Sequence, residues 1–183
     1  MKTSFCGLVF AAVFASALGA CGGGSAEGGD PKVGGAEGGA HPLVGSPAPE
    51  FGFASVNGQG KVSAKELQGK VVLVDFWATW CEPCKKSFPK LQGLNVKYKA
   101  SGVEIVGISE DDEKGTDLAG FGNTYGAKFP LGWDDGKKIA EKWQPKSMPS
   151  SFIVDRKGVV RFVHLGYHDG EEDEIEKEIK SLL

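Results

Sequence analysis

Residues 70–84 constrain this chain more than any other stretch. Lys70 is followed by Val71-Val-Leu-Val-Asp-Phe-Trp77, a run of β-branched and aromatic side chains that is apolar on both faces. Such a run predicts a strand at the centre of a sheet, covered by other layers on both sides. One carboxylate, Asp75, interrupts it. The chain then passes through Ala78-Thr-Trp-Cys-Glu-Pro-Cys84 into a segment that reads as a helix to about Lys99. Pro83 suits a first helical turn, where its missing N–H has no partner to lose. Pro89 lies deeper and is expected to kink the helix. A buried strand running straight into a helix leaves Cys81 and Cys84 at the helix N-terminus.

The remaining pattern fills out one domain. Phe51 to Val56 reads as a short strand that turns at Asn57-Gly58. Ser63 and Glu66 have capping-box spacing for a short helix through Leu67. Val103 to Ser109 is a second core strand. A polar helical stretch from about Asp112 to Tyr125 is weakened by Gly115, Gly120 and Gly122. Phe129-Pro-Leu131 is a candidate edge strand, and Lys137 to Trp143 a short helix stopped before Pro145. Ser151–Asp155 and Val159–Leu165 flank Arg156-Lys157-Gly158 as a hairpin. Glu171 to Leu182 is an amphipathic helix with Ile175, Ile179 and Leu182 on one side. This order predicts an α/β domain in which helices cover a mixed central sheet.

The first twenty residues read as an address. Lys2 precedes the apolar run Leu8 to Leu18, the secretory-signal pattern, and Gly22-Gly23-Gly24 follows too soon for a membrane span of about 20 residues. Leu18-Gly19-Ala20-Cys21 resembles the lipobox of bacterial lipoproteins. That resemblance implies lipid attachment at Cys21 and removal of residues 1–20, Cys6 included. Ten of the 28 glycines fall between Gly22 and Gly45. Residues 21–45 are therefore expected to be a lipidated cysteine and a flexible tether, with His41 solvated, ahead of a domain at 46–183. Two or more acyl chains on one cysteine would hold the domain stably on a bilayer. A formal net charge of −3, with both signs interspersed, gives no footprint for nucleic acid.

With two of the four cysteines in the leader region, the folded part keeps one close pair. A Cys81–Cys84 bridge closes so short a loop that chain entropy credits it with only about 2 kcal/mol, which is poor use of a structural staple. As a redox couple the pair makes sense. Cys81 at a helix N-terminus meets unpaired N–H groups and the positive end of the helix dipole, which favour a thiolate. Cys84, one turn inside, can attack a mixed disulfide formed at Cys81. Glu82 places a negative charge beside Cys81, opposes the dipole and argues for a reducing protein. A zinc site would need two further ligands, and only His164 and His168 remain downstream.

Val74-Asp-Phe-Trp-Ala-Thr-Trp-Cys-Glu-Pro-Cys-Lys85 resembles the thioredoxin active-site signature. The Glu82-Pro83 dipeptide, Lys85-Lys86 and the export address resemble the TlpA/ResA-like branch of thiol-disulfide oxidoreductases. Ser147-Met148-Pro149-Ser150-Ser151-Phe152 is similar to that family's cis-proline loop. The resemblance covers about residues 46–183 and implies a thioredoxin-like fold with an N-terminal strand extension and a central helix-strand insertion over 112–131.

By resemblance, Cys81 is the nucleophile and Cys84 the resolving thiol. Asp75 is a buried carboxylate that accepts the Cys84 proton. Trp80, Met148 and Pro149 meet substrate, and Glu82 and Pro83 tune the couple. The implied partners are disulfide-bearing exported proteins, apocytochrome c among them, and a membrane thiol carrier of DsbD or CcdA type as electron donor. No cofactor or metal is implied, and the protein is expected to be a monomer in the periplasm, held at a membrane through its lipid.

Two departures stand out. Ser87 occupies a position where some relatives carry glutamate, and the strand Val103–Ser109 lacks the lysine that partners the aspartate in thioredoxin. Two other functions stay open at this point. A peroxiredoxin-like thiol peroxidase would want a threonine or serine three residues before its cysteine. A copper-delivery lipoprotein would use the two thiols with His164 or His168.

Overall fold

The computed structural model describes residues 41–113 and 115–183. The predicted signal segment, Cys21 and the tether up to residue 40 lie outside the described residues.

The order of elements is β1 (Gly52–Ala54), β2 (Lys61–Ser63), β3 (Val71–Trp77), α1 (Glu82–Tyr98), β4 (Val103–Ser109), α2 (Leu118–Thr124), β5 (Leu131–Trp133), α3 (Ala140–Trp143), β6 (Ser150–Val154), β7 (Val160–Leu165) and α4 (Glu171–Leu182). The central sheet has strand order β5-β4-β3-β6-β7, with β3, β4 and β5 parallel and β6 and β7 antiparallel to their neighbours. Every residue of β3 and β4 is buried, as an apolar run in the middle of a covered sheet requires.

Alternation along β3 splits the core in two. Val71, Leu73 and Trp77 pack with Phe88 and Leu91 of α1, Phe121 of α2, and Ile175 and Ile179 of α4. Val72, Val74 and Phe76 pack on the other face with Phe51, Phe152 and Trp143. Fully buried side chains of this size each contribute roughly 1.5–3 kcal/mol.

The long elements fall where their periodicity puts them, and the helix α1 continues through Pro89. The short elements are set by caps and prolines. Ser63 Oγ does reach Glu66 N at 3.4 Å and takes part in a 2.9 Å bond with Glu66 Oε2. The chain there makes turns only, while Lys61–Ser63 pairs antiparallel with Gly52–Ala54. The predicted 112–125 helix shrinks to α2, because the Asp117 carboxylate accepts the Gly120 N–H at 2.7 Å and starts the helix there. β5 begins after Pro130, which has no N–H to give to a ladder. α3 starts at Ala140, because Asp134 accepts the N–H groups of Ile139 and Ala140.

The folded part also begins earlier than the glycine content suggests. His41 is buried, edge-on to Phe152 at 5.1 Å, and its Nε2 lies 3.0 Å from the Gln144 carbonyl. Gly45 donates to the Val160 carbonyl at 2.8 Å. The expectation of a solvated His41 inside a tether is corrected: His-Pro-Leu-Val at 41–44 carries enough apolar surface to dock against β6 and β7.

Candidate active site

The C-terminal end of β3 delivers the chain into Ala78-Thr79-Trp80, and this loop is pinned from β4. The Thr79 N–H and hydroxyl donate to the two oxygens of Asp111 at 3.0 and 2.5 Å. Asp111 also accepts the Ser109 hydroxyl at 2.7 Å, and its carbonyl accepts the Trp133 indole N–H at 2.8 Å. Asp111 was not foreseen from the sequence. Its one signal is position: it lies just past the carboxyl end of a parallel strand, where α/β sheets place their sites.

Cys81 is the N-cap of α1, with extended φ −80° and ψ 104°, and its Sγ accepts the Cys84 N–H at 3.2 Å. The two cysteines form a disulfide. Sulfur thus stands where a serine or aspartate oxygen usually caps a helix. A thiolate released there on reduction receives an N–H and the helix dipole. Cys81 and Cys84 are both buried, whereas Trp80 beside them is 64% exposed. Glu82 is exposed and pairs with Lys85 one turn on, so much of its charge is balanced before it can act on Cys81.

The Met148-Pro149 peptide is cis, as the resemblance implied. Met148 packs against the core cluster that contains Cys81 and Cys84. Pro149 is buried, and its carbonyl accepts the Gly166 N–H at 2.7 Å. Trp77 is pure packing: its ring lies 4.8 Å from Phe88 and 4.7 Å from Phe121. Ser87 is buried and donates to the Cys84 carbonyl at 3.2 Å, so no carboxylate occupies that position. His164 is half-buried, and its Nε2 lies 2.6 Å from Glu178 Oε2.

Asp75 is fully buried on β3. Leu73 and Trp77, two residues to either side, lie in the cluster that holds both cysteines, so its side chain faces the dithiol side of the sheet. Its Oδ1 accepts the Ser151 hydroxyl at 2.7 Å, and Oδ2 has no partner. Burial pushes its pKa up to about 7; the Ser151 bond pulls against this, and the Glu171 charge adds to it. Across the sheet, β4 places Gly107 in register with Asp75. A Cβ there would stand 2.8 Å from Leu131 Cδ2 and 3.0 Å from the Trp77 indole nitrogen. The space a lysine would need is filled by packing.

An open groove of about 260 Å³ lies beside the pair, lined by Glu82, Pro83, Lys86, Tyr167, His168 and Asp169. A larger cleft of about 440 Å³ runs between Pro47, Leu67, Val72 and Arg156, at the opposite end of β3 from the cysteines. It has no part in their chemistry. A peroxidase would need a hydroxyl three residues before Cys81, where buried Ala78 stands.

Residues 44–163 match the AhpC/TSA family model. The thiol-disulfide oxidoreductase ResA of Bacillus thuringiensis (strain Al Hakam) is 41% identical over 119 residues, which is 64% of this chain and 66% of ResA. The chain thus spans just under two thirds of that relative. The thioredoxin-like protein YneN of Bacillus subtilis (strain 168) is 33% identical over 67% of this chain and 71% of its own length. Among solved structures, one from Chlorobium tepidum, described as a thiol:disulfide interchange protein DsbE, superposes with a TM-score of 0.70. It shares 33% identity and covers 76% of this chain and 96% of its own. The thioredoxin domain of a Bacteroides vulgatus thiol-disulfide oxidoreductase gives 0.65 at 28% identity, over 74% and 97%. On these matches, and on a dithiol capping the helix after a buried strand, the chain belongs to the AhpC/TSA family and, within it, to the TlpA/ResA-like thiol-disulfide oxidoreductases of thioredoxin fold.

Proposed function

We propose that the protein is a thiol-disulfide oxidoreductase that reduces disulfides in exported proteins outside the cytoplasm. The observation that carries this is the Cys81–Cys84 disulfide at the N-terminus of α1, with Cys81 Sγ in the capping position. In the reduced protein the Cys81 thiolate attacks a substrate disulfide, forms a mixed disulfide and releases one substrate thiolate. Asp75 takes the proton of Cys84, and the Cys84 thiolate attacks Cys81 Sγ, which frees the second substrate thiol. Two electrons pass to substrate and the Cys81–Cys84 bond re-forms. A membrane-bound dithiol donor of DsbD or CcdA type then restores the reduced state.

Trp80, Met148 and Pro149 meet the substrate, and the groove beside Glu82 and Pro83 receives the chain that flanks its disulfide. Apocytochrome c, whose paired thiols must be reduced before haem attachment, suits this chemistry. The signal-like segment before Cys21 and its lipobox resemblance support a lipid on Cys21 that would hold the domain at the outer face of a membrane. Among the described residues no helix is long and apolar enough to cross one.

The test is a redox titration of Cys81–Cys84 together with reduction of a disulfide-bearing protein substrate. A low midpoint, loss of turnover in Cys81→Ser, and a trapped mixed disulfide in Cys84→Ser are expected. A midpoint near the strongly oxidising end, about −120 mV, or peroxide consumption matching disulfide turnover, overturns the reading.

A further inference from the structure

Asp75, Ser151 and His164 lie in one row across three neighbouring strands. The register pairs Asp75 of β3 with Ser151 of β6, and Ser151 with His164 of β7, so all three side chains project from the same face. That face is covered by α4, whose Ile175 and Ile179 pack with Leu73, Ile153 and Phe162. The first turn of α4 lowers Glu171 into it, only 4% exposed. Glu171 Oε1 lies 3.7 Å from His164 Nδ1, and the other ring nitrogen is held by Glu178 at 2.6 Å.

The elements around the row contribute unequally to its charge. β6 offers the neutral Ser151 and β4 offers Gly107. α1 brings Cys84 and Ser87. α4 brings Glu171, Glu174 and Glu178. Glu172 is paired with Lys90 of α1, and His168 acts on Glu171 from the turn before α4.

We propose that Glu171, steadied by His164, is a positioning residue that determines when Asp75 gives up its proton, and with it the pH window of the Cys84 half of disulfide exchange. The part concerning exchange rests on Asp75 being the proton acceptor.

Each side chain supplies one step. Burial by itself would discharge His164, but the bond to Glu178 and the charges of Glu178, Glu171 and Glu174 outweigh it, so the ring keeps its proton above the usual histidine range. Burial pushes the Glu171 carboxyl up, while His164 and His168 pull it back. The negative charge of Glu171 then discourages ionisation of Asp75. A lysine facing Asp75 would do the reverse. Here the cation acts one step removed, through the carboxylate between.

The experiment follows the carboxyl carbons of Asp75 and Glu171 by ¹³C NMR titration of the oxidised protein, with disulfide-exchange rates measured against pH on the same variants. Glu171→Gln lowers the Asp75 midpoint from about 7 and moves the exchange profile to lower pH. In an Asp75→Asn background the same change leaves the profile in place. His164→Gln, read independently, raises the midpoint of Glu171. An Asp75 midpoint unmoved by Glu171→Gln, or a Glu171 midpoint unmoved by His164→Gln, overturns the proposal. If Asp75 shifts as expected while the exchange profile stays fixed, the coupling holds and the assignment of Asp75 as proton acceptor falls.

Discussion

Two aspartates associated with the same pair of strands have opposite surroundings. Asp155 follows β6 at the hairpin end. Its carboxylate accepts the N–H groups of Lys157 and Val159 at 2.8 and 3.0 Å and the Arg161 Nε at 2.7 Å. Burial alone would raise its pKa, but these donors outweigh it and hold the carboxyl below the ordinary value. Asp75, paired in register with Ser151 near the other end of β6, has one hydroxyl donor, an unpartnered Oδ2 and a pKa of about 7. The first is built to stay ionised and fasten a turn. The second is built to exchange a proton near neutrality. Depth of burial, the number of donors and the guanidinium beside Asp155 together separate the two roles.

The sharpest way to break this contrast is to neutralise Asp75. Its folded pKa lies above the unfolded value of 3.8, so the native state binds the extra proton. Stability is therefore full below about pH 4, falls between about 4 and 7, and stays low above. Asp75→Asn should leave stability unchanged at pH 4 and raise it at pH 9, by on the order of 4 kcal/mol at most, in denaturant titrations. The same variant should slow disulfide exchange about 100-fold at neutral pH, the usual scale for removing a positioned base. Glu110 is also buried with a pKa of about 7, so only the difference between variant and wild type isolates Asp75.

Asp155→Ala should act in the opposite sense. It strands two backbone N–H groups and a guanidinium, at a cost of about 2–3 kcal/mol in chemical denaturation at pH 7. The sign of its pH dependence is also reversed. The contribution of Asp155 is present above the ordinary aspartate pKa and is lost as pH falls through its lowered value. Exchange at Cys81–Cys84 should be unaffected.

Asp111→Ala tests the pinned loop, and should cost about 1–3 kcal/mol by freeing Thr79, with slower exchange because the approach to Cys81 loosens. Glu82→Gln should have the smallest effect, changing the exchange rate less than about twofold, since the charge is exposed and already paired with Lys85.

The parts legible in the sequence were those that repeat locally. β3, β4 and α4 follow from apolar periodicity, and the CxxC helix from the strand that feeds it. Asp75 could be suspected because it breaks an apolar run. What stayed hidden depends on partners distant in the chain. Lys61–Ser63 becomes a strand only beside Gly52–Ala54. The start of α3 depends on Asp134, five and six residues away from the N–H groups it accepts. Asp111 reaches Thr79 across 32 positions, and Glu171 meets His164 only because α4 folds back over β7. His41 was masked by the glycines around it, which dominate composition without deciding what four ordinary residues do.

Gly107 carries a consequence for how this site can change. Any side chain there must first displace Leu131 and the Trp77 indole, and that indole is packed against Phe88 and Phe121. No substitution at Gly107 can install a cation opposite the acid without shifting Leu131 and an indole held in an aromatic stack. Descendants of this chain are therefore steered toward adjusting the β7 side of the same face, where Glu171 of α4 and His164 can be exchanged without touching that stack.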